Sequence, residues 1–535
     1  MNEGALMKNK YFLYSTEFFA GMSVMAIELG ASRMLAPYFS SSQIVWTVII
    51  GAIMIAMALG NVWGGKMADK NPDPAKLYHR LLLAAIWVAL IPFLGKYIIT
   101  GISLGVAMIV TKNFLVWASL LSCLVIFVFP LMLLGTVTPC LVKYTTQDLK
   151  SNAATVGRLG ALNTIGCIIG TFLPTFVTIP TVGTAATFLI FASILGLLSI
   201  IYFIANRKMV IKGILCVCII IGMTFATAHY SFAFWENDIV YEGESIYNYL
   251  QVKEDEQSVI LSTNVLAGVQ SVKMKEAKLT GMYYDYALAA PFMAGIEKGS
   301  GDVLILGLGT GTFATMCDEY FPEVKVEGVE IDQKIADLAT QYFDLPETVE
   351  VTVYDGRAYL QKAKQYDVIM IDAYQDITIP FQMSTVEFFT QVKEHLKEDG
   401  VMVVNLNMVS TEEDSINQYL CQTIASVFEE SYLADVRGSS NAELFAFNNP
   451  ARVAEFENAY VAYGQEHDDV NLTNMMTRVQ DSLVKVETGN HILTDDKAPV
   501  EVLGMKVLDE IIQDELDYFK EMMKSGNLLE LLGGA

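Results

Sequence analysis

Three acidic residues, Glu330, Asp355 and Asp372, each follow a short β-branched or apolar run, and all three lie downstream of the stretch VLILGLGTGT at 303–312. In a doubly wound parallel sheet the carboxyl ends of the strands line one rim, and ligands bind there. Glu330, ending the second strand, can accept hydrogen bonds from both hydroxyls of a ribose, which a 2′-phosphate would forbid. Asp355, with Gly356 beside it in the motif YDGR, ends the third strand, where an acid can accept from an adenine amino group. Gly307, Gly309 and Gly311 are spaced GxGxG, with Thr312 where the dinucleotide fingerprint GxGxxG needs its third glycine. Taken singly, each acid reads as a helix N-cap or a solvated loop residue. Taken in order, they specify an adenosine-containing small molecule and set NAD aside.

Asp372 ends the fourth strand after the run VIMI, and Tyr374, Asp376, Ile379 and Pro380 follow as a loop over the expected pocket. A carboxylate partly shielded from water suits an amine. It holds the cation and takes its proton as the nitrogen becomes a nucleophile.

The elements that must position these groups are legible in the pattern. From Asp302 onward, strands alternate with helices, the mark of an α/β Rossmann-like unit with a parallel sheet covered on both faces. Residues 239–275 read as four short strands separated by turn residues, a small antiparallel sheet, and residues 283–298 read as helix. Residues 451–535 read as helices. The expected division is a transmembrane region at 1–231, a small β-sheet with connecting helix at 232–300, the nucleoside-binding transferase unit at 301–503 and a helical tail at 504–535.

The first of these regions is a membrane sequence. Seven segments, near 12–35, 44–63, 81–99, 114–135, 159–179, 184–204 and 213–230, have the length and apolarity to cross a bilayer, which takes about 20 residues. Basic loops fall between the second and third (Lys66, Lys70, Lys76, Arg80), the fourth and fifth (Lys143, Lys150, Arg158) and the sixth and seventh (Arg207, Lys208, Lys212). They share one face, which the positive-inside rule makes cytoplasmic. If the seventh segment crosses, the soluble part lies outside; a re-entrant seventh segment would keep it inside with the cofactor pool. Glu17, Glu28 and Arg33 in the first segment, and Asn163 and Thr164 in the fifth, are costly at membrane depth and need partners or a wet cavity. A Glu28–Arg33 ion pair is the simplest expectation. Gly157/Gly160 and Gly166/Gly170 are small-residue faces for close helix packing.

Charge divides the chain at the same place. Residues 1–231 carry 15 Lys/Arg against 6 Asp/Glu; the remaining 20 and 53 of the totals 35 and 59 lie beyond. Such an acidic soluble part repels nucleic acid and is compatible with a polycationic substrate, though solubility alone is the simpler account of it. The seven cysteines show neither metal-ligand spacing nor a disulfide framework.

The ordered set of motifs resembles the spermidine synthase family, the polyamine aminopropyltransferases, over residues 239–503. The whole chain is similar to the membrane-fused branch of that family, in which a bundle like half of a major-facilitator transporter precedes the synthase-like part. The matching stretches are ELGASRMLAPYF (28–39), GGKMAD (64–69), NTIGCIIG (163–170), Asp372-Ala373-Tyr374 with Ile379-Pro380, and LTDDKAPVE (493–501). The resemblance implies a class I methyltransferase-type fold, a homodimer, and no metal. It implies decarboxylated S-adenosylmethionine as donor, bound by Gly307, Gly309, Thr310, Gly311, Glu330, Asp355 and Gly356. Asp372 becomes the base that deprotonates a polyamine or other small amine. Gln270 matches the family glutamine, Tyr283-Tyr284-Asp285 falls on the family's Tyr-His-Glu, and Asn405 falls on a glutamine near the acceptor. Tyr374 and Asp376 belong to the catalytic loop, Asp376 one place later than the family's second acid. Thr310 stands where the family places an aspartate against the donor's propyl amine.

The expected protein is therefore a multi-pass α-helical membrane bundle followed by a Rossmann-like transferase in the cell membrane. Two rivals stand beside it. One uses intact S-adenosylmethionine for methyl or 3-amino-3-carboxypropyl transfer; the other is a polyamine transporter or sensor with a non-catalytic synthase-like part.

Overall fold

The computed structural model describes residues 9–110, 112–146, 152–207, 209–228, 230–265, 268–374, 379–407, 410 and 414–525. Asp376, Lys150 and Lys208 lie outside the described residues. The amino-terminal bundle contains α1 (Lys10–Phe39), α2 (Gln43–Lys70), α3 (Pro74–Ile109), α4 (Phe114–Ile126), α5 (Val128–Gly135), α6 (Val137–Thr145), α7 (Asn152–Leu173), α8 (Ile179–Ala205) and α9 (Val210–Ala226). Among the described residues, five helices are long and apolar enough to cross a membrane: Lys10–Phe39, Gln43–Lys70, Pro74–Ile109, Val128–Thr145 and Asn152–Ala205. The last of these spans 54 residues and holds two of the segments read from sequence. It is broken at Gly183, whose φ of 82° and ψ of 167° no helix contains. Val210–Ala226, at the seventh segment, is a shorter apolar helix of 17 residues.

Small residues set the tightest crossing. A Cβ on Gly166 would lie 2.1 Å from the Phe18 carbonyl oxygen, and one on Gly170 2.1 Å from that of Met22, so α1 and α7 meet backbone to backbone. Gly157 and Gly160 do not take part; nothing stands within 4 Å of a Cβ at either. One charged side chain departs from expectation, and another finds the partners that its depth requires. Arg33 turns to the carbonyl of Ile246 rather than to Glu28, because it sits at the helix end where the second half of the chain supplies a nearer acceptor. Glu17 is buried and accepts from Thr138 Oγ1 at 2.6 Å and Asn163 Nδ2 at 3.1 Å.

One end of the bundle carries the rest of the protein. The Val265 amide donates to the Pro37 carbonyl (3.0 Å) beyond which α1 ends, and the Gln43 amide at the start of α2 donates to Glu501 (2.8 Å). Glu244 accepts from the backbone and hydroxyl of Thr184 at 2.7 and 2.6 Å, covering the break at Gly183 within α8. Lys66, Lys70, Lys76, Arg80, Lys143, Arg158, Arg207 and Lys212 belong to the opposite helix ends.

Two sheets follow. The small one is antiparallel, in the order β1 (Ile239–Glu244), β2 (Tyr249–Glu254), β3 (Ser258–Ser262), β4 (Ser271–Met274). The segment expected as one helix after it is two short ones, α10 (Tyr283–Ala287) and α11 (Ala289–Ala294). The large sheet has eight strands: β5 (Asp302–Leu306), β6 (Lys325–Glu330), β7 (Glu350–Val353), β8 (Tyr366–Ile371), β9 (Leu396–Leu406), β10 (Glu430–Asp435), β11 (Ala442–Phe447) and β12 (Leu483–Lys485). Their spatial order is β12-β10-β11-β9-β8-β5-β6-β7. β7, β6, β5, β8 and β9 are parallel, and β11, β10 and β12 extend the sheet antiparallel. The parallel strands read as near-continuous apolar runs because helices cover both faces; Val368, Ile369, Met370 and Ile371 of β8 are all fully buried. The chain proceeds outward from β5 to β7, then returns to place β8 on the other side of β5. That reversal makes a topological switch point at the carboxyl ends of β5 and β8, the place where such sheets bind ligands.

Candidate active site

Gly307 follows β5 directly, with φ of 91°, and a Cβ there would lie 2.5 Å from the carbonyl oxygen of Asp372. Only glycine lets the two strand ends meet this closely. Gly309 and Gly311 also have positive φ, 57° and 89°, and turn the loop into α12 (Thr312–Tyr320). Strand β4 ties this loop down from above. Ser271 Oγ accepts from the Thr310 amide (3.0 Å), while Thr312 Oγ1 both donates to the Val272 carbonyl (2.8 Å) and accepts from its amide (3.0 Å). The small sheet thus covers one side of the loop. Ser271 was not singled out from sequence; its place beside Gln270 is the only local signal.

Glu330 leaves the end of β6 buried beneath the loop. Its carboxylate accepts from the Gly309 amide at 2.9 Å and the Asp332 amide at 3.0 Å, and burial raises its pKa to about 7. Asp332 caps α13 (Gln333–Tyr342) by accepting from the Lys334 amide. Asp355 does what a helix N-cap does: its Oδ1 accepts from Ala358 N at 2.8 Å at the start of α14 (Gly356–Leu360). Arg357 of that helix makes a two-pronged pair with Asp495, at 2.8 and 2.7 Å, which anchors the segment TDDKAPVE beside the rim.

Asp372 sits where β8 ends, and two donors fix its carboxylate. Tyr283 of α10 donates to Oδ2 at 2.7 Å and Asn405 of β9 donates to Oδ1 at 2.9 Å. Burial raises its pKa to about 6, against the lowering effect of those two hydrogen bonds. Asn405 is itself oriented by Asn441, which donates to its Oδ1 at 2.9 Å. Tyr374 donates its hydroxyl to the Asn405 carbonyl and accepts from the Asn407 amide at 3.1 Å. Tyr284 packs against Tyr283, ring centres 4.0 Å apart and planes tilted by 32°, and donates to the Gln270 carbonyl at 2.7 Å.

Of the residues expected to read the amine, Tyr283, Asn405 and Tyr374 gather around Asp372, and Tyr284 and Gln270 form the adjoining wall. Asp285 behaves differently. Its carboxylate takes three donors from the preceding turn, the amide and hydroxyl of Thr280 and the amide of Gly281, all within 2.8 Å. Thr310 is buried, and its hydroxyl has no hydrogen-bond partner. One buried acid near Asp372 escaped the sequence reading: Glu443 in the strand AELFAF, which looks like an ordinary apolar strand with one misplaced charge.

A family model and several known proteins match the chain. Residues 290–437 match the family model described as the spermine/spermidine synthase domain. The chain is 48% identical over 341 residues to a probable polyamine aminopropyl transferase of Bifidobacterium longum, covering 61% of this chain and 75% of that one. It is 29% identical over 211 residues to the polyamine aminopropyltransferase of Vibrio vulnificus, covering 38% and 69%. Among solved structures it is similar to the spermidine synthase from Thermotoga maritima, at 19% identity and a TM-score of 0.34, over 51% of this chain and 87% of that one.

Proposed function

The chain belongs to the polyamine aminopropyltransferase family and is a transferase, and from that premise we propose a membrane-anchored enzyme that moves the aminopropyl group of decarboxylated S-adenosylmethionine onto an amine of the polyamine class. The observation that carries this reading is Asp372. It is a shielded carboxylate at the switch point of the sheet, fixed by Tyr283 and Asn405 and standing one strand from the loop above Glu330.

The chemistry asks little of the protein beyond position and one proton acceptor. The amine lone pair attacks the methylene beside the sulfonium. A nitrogen–carbon bond forms as the carbon–sulfur bond breaks, and sulfur keeps the electron pair as a neutral thioether. The proton lost by nitrogen goes to Asp372. Glu330 accepts the ribose hydroxyls with the lone pairs its backbone donors leave, and Asp355 offers its second oxygen to the adenine amino group. Holding the two reactants in line can supply about 7–11 kcal/mol of the barrier.

Incubating the full-length protein with each donor and an amine, and identifying the nucleoside released, tests the reaction. Decarboxylated S-adenosylmethionine is expected to yield methylthioadenosine only when an amine is present. Release of S-adenosylhomocysteine from intact S-adenosylmethionine would replace aminopropyl transfer with methyl transfer.

The acid limb of the pH profile of kcat/KM is expected near 6, since Asp372 must be ionised to accept a proton. Tyr283 stabilises the ionised form, so Tyr283→Phe moves that limb upward by about one pH unit. A hydrogen bond to a charged group is worth about 1.5–3 kcal/mol, and one pH unit corresponds to about 1.4 kcal/mol. A limb that stays in place would assign the proton acceptor to another group.

The catalytic part lies at the bundle end opposite the basic loops, and the positive-inside rule supports an outer-face reading of that arrangement. Protease added to intact cells is then expected to remove the carboxyl-terminal part while sparing the loops around Lys70 and Lys143. A protected carboxyl-terminal part would put the site on the cytoplasmic face.

A further inference from the structure

Strand β11 reads AELFAF, and its one acid, Glu443, is fully buried. In the antiparallel ladder Glu443 stands directly opposite Asn405, and directly opposed residues present their side chains on the same face of a sheet. Asn405 uses that face to reach Asp372. Tyr374 lies in the field of both carboxylates, while its hydroxyl is held at the Asn405 backbone. Neither oxygen of Glu443 has a hydrogen-bond partner. Burial, reinforced by the negative charge of Asp372, raises its pKa well above the ordinary carboxylate range. A buried carboxyl with no donor destabilises the fold relative to an apolar side chain of similar size. A cation that arrives with the substrate would give both acids a partner at once.

We propose that Glu443 is the specificity residue of the acceptor site, binding the distal ammonium of a diamine whose other nitrogen is deprotonated by Asp372. This rests on the reading of Asp372 as the base in aminopropyl transfer. β9 separates β8 from β11, so the two acids spring from backbones about 10 Å apart, two strand spacings. That gap lets two side chains close on the ends of a short aliphatic diamine from either side. A monoamine of the same chain length leaves Glu443 unpaired and is discriminated against.

The test is equilibrium binding of 1,4-diaminobutane and 1-aminobutane to the full-length protein in nanodiscs, saturated with methylthioadenosine. The wild-type protein is expected to bind the diamine at least 10-fold more tightly. Glu443→Gln, close in shape to the neutral acid, is expected to lose that preference by weakening the diamine alone, with methylthioadenosine affinity unchanged. Glu443→Asp should restore part of it. A merely structural role would weaken both amines together. Discrimination that survives in Glu443→Gln overturns the proposal, and so does a wild-type protein that does not prefer the diamine; the second arm needs no variant to fold. Loss of preference in a protein that releases no methylthioadenosine would retain the amine site and remove aminopropyl transfer. Transfer with discrimination independent of Glu443 would do the reverse.

Discussion

Asp372→Asn is expected to lower turnover by about 10²–10⁴-fold, the range that general-base catalysis contributes, while leaving nucleoside affinity within a few-fold of wild type. An alkylamine with a pKa like that of lysine, about 10.4, is almost wholly protonated at neutral pH, and an ammonium has no lone pair with which to attack. The asparagine keeps the shape of the site. Its carbonyl oxygen still accepts from Tyr283 or Asn405, but it cannot take a proton. Glu330 and the glycine loop are untouched, so methylthioadenosine should bind as before. The variant should also regain activity as the pH is raised toward 10, where solvent removes the proton that Asp372 otherwise takes. Measuring kcat across pH for both proteins, together with nucleoside dissociation constants, checks each part. Equal turnover of the two would remove Asp372 from the chemistry.

What could be read from the sequence was what is local. An acid at the end of an apolar run is a pattern of a few residues, and Glu330, Asp355 and Asp372 were legible for that reason. The alternation of strands and helices gave the parallel part of the sheet on the same ground. The antiparallel extension β11-β10-β12 was not legible, because the strands 430–435 and 442–447 resemble those of a parallel sheet until their pairing is known. Glu443 was missed for the same reason. Its meaning comes from standing opposite Asn405, 38 residues earlier in the chain, and no local pattern carries that register. Asp285 shows the opposite failure. Its place next to Tyr283 and Tyr284 suggested the amine pocket, yet a carboxylate at the start of a short helix is claimed first by the backbone donors of the preceding turn. Asp355 is claimed in the same manner, but by one oxygen only, so its second oxygen is left for the adenine contact proposed above. Arg33 belongs with Glu443: the Ile246 carbonyl that takes it is more than 200 residues away.

Glu330→Gln is expected to weaken binding of methylthioadenosine by about 10²–10⁴-fold. Two hydrogen bonds from ribose hydroxyls to a charged acceptor, at about 1.5–3 kcal/mol each, bracket that loss. The amide does further harm. Wild-type Glu330 accepts from the amides of both Gly309 and Asp332, and the NH₂ of glutamine would face one of those donors with another. The wild-type protein offers a second readout. Its Glu330 has a pKa near 7 before ligand binds, so about half the molecules carry the neutral acid at that pH. Ribose hydroxyls donate better to the ionised form, so binding lowers this pKa and releases a proton. Affinity should therefore increase as pH rises from about 6 to 8 and level off above that. Calorimetry near pH 6.5 in buffers of different ionisation enthalpy should detect the released proton. In Glu330→Gln both the pH dependence and the proton release should vanish together. If affinity falls but the proton release persists, the titrating group is not Glu330, and the ribose is held by another acid of the rim.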